Sequence, residues 1–234
     1  MKKTVISLRM RLNRNNTALP MRKVAMHLMR SLSVALLILL PIVVAALLRD
    51  TGHVPDDAIV EAKAALDRHM ALHPEDSVRT LAVVDFSRPS FLKRMMVIDL
   101  ETGRRSTCRV AHGRNSGTLI ARSFSNVPES NMSSLGLFRV GQAYNGAHGI
   151  ALRLDGLDSL QNSNAGIRDI VLHSADYVSI PYILLNLFTL SSPRIGRSNG
   201  CFVVSRDDIA PVVRQLANGG FIYAWGGKAG TTLK

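Results

Sequence analysis

A chain of 234 residues with 47% hydrophobic content is long enough to bury one sizeable core, and a single domain is the starting expectation. Its formal charge of +12 is gathered at one end: residues 1–48 carry eight Lys or Arg and no acid, leaving 21 basic against 17 acidic residues beyond them. The charge is therefore a topology signal, and most of the support that a high pI lends to nucleic-acid binding falls away.

Behind the basic arm, residues 32–48 form an apolar run interrupted only by Ser33 and Pro41. Its length lies between a signal-peptide core and a full membrane span. Basic residues before it direct the N-terminus to the cytoplasm and the rest of the chain across the membrane. A buried core helix would carry a polar face, which this run lacks. Val44, Ala45 and Ala46 suit signal-peptidase cleavage, whereas the long basic arm suits a retained anchor, and both readings stay open. The expected location is periplasmic or otherwise extracytoplasmic, with the inner membrane as a partner through this segment and no nucleic-acid partner.

Residues 49–55 read as a linker containing Gly52 and Pro55. Asp56 is the expected N-cap of a helix that His73-Pro74 ends. Strands are expected over 81–86 and 95–100, separated by a turn at Pro89, and then around Cys108 after a turn at 101–103. The β pattern continues over 136–140, 150–154 and 170–173. A late helix opens at Arg206 and closes at 218–220, and a last strand follows over 221–225. Many short strands with glycine-rich turns predict a mainly β sandwich or barrel with a few short helices. The expected domains are an arm with signal peptide or anchor (1–48), a linker and helix (49–79) and a catalytic domain (80–228).

The stretch Gly196-Arg197-Ser198-Asn199-Gly200-Cys201 is badly placed for core filler. Gly200 permits a backbone conformation other residues resist and leaves neighbouring amides unshielded. A thiol there suits a nucleophile whose oxyanion is held by amides around Gly200 and Cys201, with Ser198 and Asn199 as supports. A buried structural cysteine is the competing account. His173, at an expected strand end, is the natural base for the thiol. Arg197 suits substrate carboxylates or open solvent, and Tyr177 lines the pocket or simply packs. His112 and His148 each precede a glycine and are candidates for shaping the substrate cleft. Cys108 sits in an alternating stretch as an inert thiol; its pairing with Cys201 would consume the nucleophile.

Several blocks occur in one order: Asp85-Phe86-Ser87, Ala111-His112-Gly113-Arg114-Asn115, Ser133-Ser134-Leu135-Gly136, Tyr144-Asn145-Gly146-Ala147-His148-Gly149 and Leu152-Arg153-Leu154-Asp155-Gly156-Leu157. With the His173 and Cys201 segments they resemble the murein L,D-transpeptidase catalytic domain family, a diverged branch of the YkuD-like enzymes, over roughly residues 80–224. The resemblance implies a YkuD-like β fold and a Cys201–His173 pair. It implies an acyl transfer in which Cys201 takes the acyl group of a peptidoglycan stem tetrapeptide as a thioester, D-alanine leaves, and an amine accepts the acyl group. No cofactor and no metal are implied. The chain departs from the main branch in having Asn199 before Gly-Cys and Val203 two residues after the cysteine. It departs from the diverged branch in having Phe202-Val203 where Pro-Ala is usual. The spacing from His173 to Cys201 is long and filled by apolar residues 180–190, which read as a lid, a membrane-facing patch or a packed helix.

Three other functions compete. Water as acceptor would make the enzyme an L,D-carboxypeptidase. His112, His148, His173 and Asp176 could supply zinc in a cell-wall peptidase, without the usual ligand spacing. A non-catalytic peptidoglycan-binding module would form no acyl-enzyme. The topology carries its own test: a reporter active only outside the cytoplasm, fused after Lys234, is expected to be active, and signal confined to the cytoplasm would overturn both location and substrate class.

Overall fold

An apolar run with no polar face forms helix α1, Met21–Arg49, in a computed structural model that describes residues 21–189, 191–217, 219–228 and 232–233. Most of the expected basic arm, together with Leu190 and Asn218, lies outside the described residues. At about 1.5 Å per residue, the 29 residues of α1 exceed the roughly 30 Å of a bilayer's hydrocarbon layer. Lys23–Arg49 is long and apolar enough to cross a membrane, with a mean hydropathy of 2.8. The chain divides into two compact units after Pro41, and every element after α1 belongs to the second.

Helix α2, Asp56–Leu72, starts one residue earlier than expected: Pro55 is the N-cap, and Asp56 and Asp57 stand in the first turn. Carboxylates there favour the positive end of the helix dipole. The spacing of Ala58, Ala62 and Leu66 puts them on one face. That face buries against Leu81, Val83, Phe221 and Trp225, and Trp225 Nε1 donates to Glu61 Oε2 at 3.1 Å. Segment 49–79 thus shares a core with the strands that follow.

Those strands are β1 Thr80–Asp85, β2 Met95–Asp99, β3 Arg105–Cys108, β4 Ser123–Phe124, β5 Gly136–Gly146, β6 Gly149–Gly156, β7 Val171–Ser174, β8 Phe202–Val204, β9 Gly220–Trp225 and β10 Thr232–Leu233. Eight of them form one mixed sheet in the order β3-β2-β1-β9-β5-β6-β7-β8, and β4 pairs with β10 separately. Within the sheet β1–β9 and β7–β8 are parallel, while the other neighbours are antiparallel. Just beyond β3, the N–H of Ala111 donates to Val203 O in β8 at 2.7 Å. The two sheet edges therefore meet, and the sheet curls into a near-barrel, as the mainly β expectation required.

Helix α4, Arg206–Leu216, is capped by Ser205 and turns Ile209, Val212, Val213 and Leu216 into the interior. There they meet Ala82, Val84, Phe138, Leu152, Leu172, Phe202 and Ile222. The Phe202 ring lies 5.3 Å from Phe138 edge-on and 5.8 Å from Phe86. All six residues of β1 are buried because α2 covers one face and this interior the other. Truncating the fully buried Phe138 to Ala is expected to cost about 3–5 kcal/mol, read as a lowered thermal midpoint. A midpoint unchanged within error would contradict this packing.

Candidate active site

The parallel ladder of β7 and β8 pairs Leu172 with Phe202 and His173 with Val203. Side chains alternate across a strand, and Leu172 and Phe202 face the core. His173 and Cys201, their immediate neighbours, consequently share the opposite face, His173 within β7 and Cys201 just before β8, although the sequence separates them widely. Cys201 is half-buried and His173 nearly buried.

The turn before Cys201 is held by Ser198. Its hydroxyl donates to Cys201 O at 2.7 Å and accepts from Gly200 N at 3.1 Å. Its backbone N–H bonds His112 O at 3.0 Å, and Arg114 N bonds its carbonyl at 2.7 Å. Gly200 adopts φ +128°, and a Cβ there would stand 2.8 Å from Met132 O. Only glycine suits that position. The Gly200 amide is spent on Ser198, so the expected oxyanion contact narrows to the N–H of Cys201. Asn199 is exposed at the tip of the turn.

The thiol donates to Asp169 O at 3.4 Å. Burial raises its pKa, partly offset by the Val171 N–H and by the cation of Arg168. Cys108 is buried in the core, and burial pushes its thiol up far more. Both thiols are free.

Because a carbonyl only accepts, the 3.0 Å contact with Ser174 O places the proton of neutral His173 on Nδ1 and leaves Nε2 with its lone pair. Burial lowers the pKa of His173, the Ser174 bond raises it, and His148 lowers it. His148 belongs to the Ala147-His148 turn joining β5 and β6; its ring stacks on His173 at 4.9 Å and 21°. A cavity of about 570 Å³ opens beside His148, lined also by Ser174, Tyr177, Tyr182, Leu185 and Arg206; neither His173 nor Cys201 is in its wall. Tyr177 is half-buried, and burial raises its phenol to about 12, with the Cys201 charge adding to the shift.

Two expectations are placed differently, and a third is narrowed. His112 is fully buried and has no surface for a substrate. Arg94 Nη2 donates to its Nδ1 at 2.7 Å, and its Nε2–H donates to Gly117 O at 3.2 Å. Burial and that neighbouring cation push its pKa down to about 3. It braces the Ser198 turn instead, and with both ring nitrogens engaged it joins no metal set. Among the described residues no cluster of three His, Cys, Asp or Glu side chains is arranged for a metal. Arg197 Nη1 donates to Arg114 O and Gly117 O at 3.0 and 3.1 Å, so part of its fork holds the same loop. Residues 180–188 form helix α3, whose N-cap is Ser179; Ile183 and Leu187 are buried while Ile180, Leu185 and Phe188 are exposed.

Sequence reading missed Arg168, whose charge is felt at Cys201, and the carbonyl of Asp169. An arginine in a polar turn reads as surface, and its partners lie 34–43 residues away. It missed Tyr182 in the cavity wall as well.

The His148–His173 stack carries a prediction. Removing the ring in His148→Ala relieves like-charge repulsion on imidazolium, so the His173 titration should move to higher pH. Imidazole NMR of the labelled protein reads this directly, and an unmoved or lowered titration would contradict it.

A family model described as the L,D-transpeptidase catalytic domain matches residues 54–225. No curated protein matches the chain. Similar solved structures include an L,D-transpeptidase from Mycobacterium smegmatis, 14% identical over 64% of this chain and 59% of that one, with a TM-score of 0.38. Others are L,D-transpeptidase 3 from Mycobacterium tuberculosis in complex with a faropenem-derived adduct (14%; 62% and 60%; 0.38) and an L,D-transpeptidase from Stackebrandtia nassauensis (14%; 67% and 60%; 0.35). The chain spans about three fifths of the length of each of these relatives. By the family match over 54–225, this chain belongs to the L,D-transpeptidase catalytic domain family.

Proposed function

We propose that this protein is a peptidoglycan L,D-transpeptidase acting outside the cytoplasm, held to the membrane or delivered across it by α1. The observation that carries the reading is His173: its Nδ1 is engaged by Ser174 O, which leaves the lone pair on Nε2, and it shares a face with Cys201, the residue just before the adjacent parallel strand.

The resting pair is a neutral thiol and a neutral imidazole. As the stem tetrapeptide binds, His173 Nε2 takes the thiol proton, and the sulfur attacks the carbonyl between the third residue and the terminal D-alanine. Negative charge on that carbonyl oxygen is received by the N–H of Cys201. The C–N bond breaks, the imidazolium returns its proton to the departing amine, and a thioester remains on Cys201. An acceptor amine then attacks the thioester, its proton passes to His173, and the thiol is restored as the new amide leaves. Keeping the histidine pKa low serves this route, because the base form persists to acidic pH. The open cavity beside His148 and Tyr177 is where the acceptor enters. Water there would give carboxypeptidase action instead.

Incubating the full chain in detergent with disaccharide tetrapeptides, with products read by mass spectrometry, tests the reaction. Release of D-alanine with a cross-linked dimer is expected; hydrolysed tripeptide alone would assign a carboxypeptidase. Cys201→Ala should abolish turnover, His173→Ala should slow it by about 10²–10⁴, and Cys108→Ala should leave it nearly unchanged. Turnover that survives Cys201→Ala, or is lost to a chelator, would overturn the mechanism.

A further inference from the structure

Arg168 lies in the turn that leads into β7. Its Nη1 donates to Ser125 O at 2.6 Å and to Ser134 Oγ, and its Nη2 donates to Ser130 Oγ at 3.3 Å and to Met132 O. Every one of these acceptors is neutral. Among the described residues no ion pair includes Arg168. Arg168 is half-buried, and even partial burial of a cation without an opposite charge costs free energy that a surface position avoids, so an unpaired guanidinium here calls for a function.

Its position supplies one. A Cβ on Gly200 would stand 3.2 Å from Arg168 Nη2, and Gly200 is bonded directly to Cys201. The bonds to segment 125–134 prevent the guanidinium from swinging toward solvent. The other ionisable groups facing the sulfur do not favour an anion there: Asp169 and burial oppose it, Tyr177 interacts with it unfavourably, and His173 is neutral at rest. Burial lowers the Arg168 pKa, and Cys201 is the charge that acts to raise it.

We infer that Arg168 is a positioning residue whose fixed, otherwise unpaired charge serves as counter-ion to the Cys201 thiolate from behind the Gly200 turn. This deepens the reading of Cys201 as nucleophile and rests on it. The charge that the reaction creates on sulfur is thereby answered before substrate arrives, without a carboxylate partner that would cancel it.

The test is the pH dependence of Cys201 alkylation by iodoacetamide in the full chain in detergent, followed by peptide mass spectrometry so that Cys108 does not interfere. Arg168→Gln should raise the apparent thiol pKa by about one unit, a roughly tenfold slower reaction at fixed pH below it. Arg168→Lys keeps the charge while losing most of the bonds, and its thiol should titrate close to wild type. A merely structural arginine predicts that both variants behave alike. A Gln variant that melts near wild type yet titrates Cys201 normally would overturn the inference, as would a Lys variant shifted as far as Gln. If the Gln variant does not fold, Lys decides alone: an unchanged titration supports the counter-ion and an upward shift overturns it. Alkylation needs no peptidoglycan, so a shifted thiol in a protein that forms no thioester would count against the proposed reaction and leave this inference standing.

Discussion

Parallel pairing of β7 with β8 is the constraint on which the rest of the site depends. Parallel neighbours need a crossover connection, and here it contains α3 and the Ser198 turn. That detour brings Cys201 to the same face as His173 and puts α3 residues Tyr182 and Leu185 in the wall of the cavity beside His148. β8 is also the last strand of the sheet, and an unpaired edge is free to fray or to bind another chain. Ala111 answers this by bonding Val203 from the far side. The strand that follows Cys201 is therefore held on both flanks, by His173's own strand and by the segment beyond β3.

The electrostatics follow a single logic. Burial disfavours charge on both partners of the pair: it raises the thiol and lowers the imidazole. Both shifts favour the uncharged forms, which suits the proposed reaction, where ionisation waits for a substrate. The Arg168 charge opposes the upward shift of the thiol, while the stacked His148 adds to the downward shift of the imidazole. Behind them, His112 is kept neutral between Arg94 and the Gly117 carbonyl, where it orders the loop that seats Ser198.

Much of this was legible in the residues. The Gly200-Cys201 turn, the strand carrying His173, the late helix and the apolar N-terminal segment each follow from local chemistry that periodicity and turn residues report. What escaped was set by distant partners. His112 looks like His148, since each precedes a glycine, yet one is sealed against Arg94 and the other sits on an exposed hairpin turn. The central β1–β9 pairing joins segments about 140 residues apart, and no local pattern encodes it. β8 went unread because three residues, Phe202–Val204, are too few to show alternation. β5 extends past its expected end at 140, because the bulge between Val140 and Ala143 breaks the pattern while the hairpin continues.

The central claim is that Cys201, served by His173, is the reacting centre. Intact mass spectrometry of the full chain with a carbapenem, followed by peptide mapping, tests it most directly, because a strained acyl group should be trapped on the nucleophile. The account predicts one covalent adduct, located on Cys201 and formed far more slowly in His173→Ala. An adduct on Cys108, or one that persists in Cys201→Ala, would contradict it.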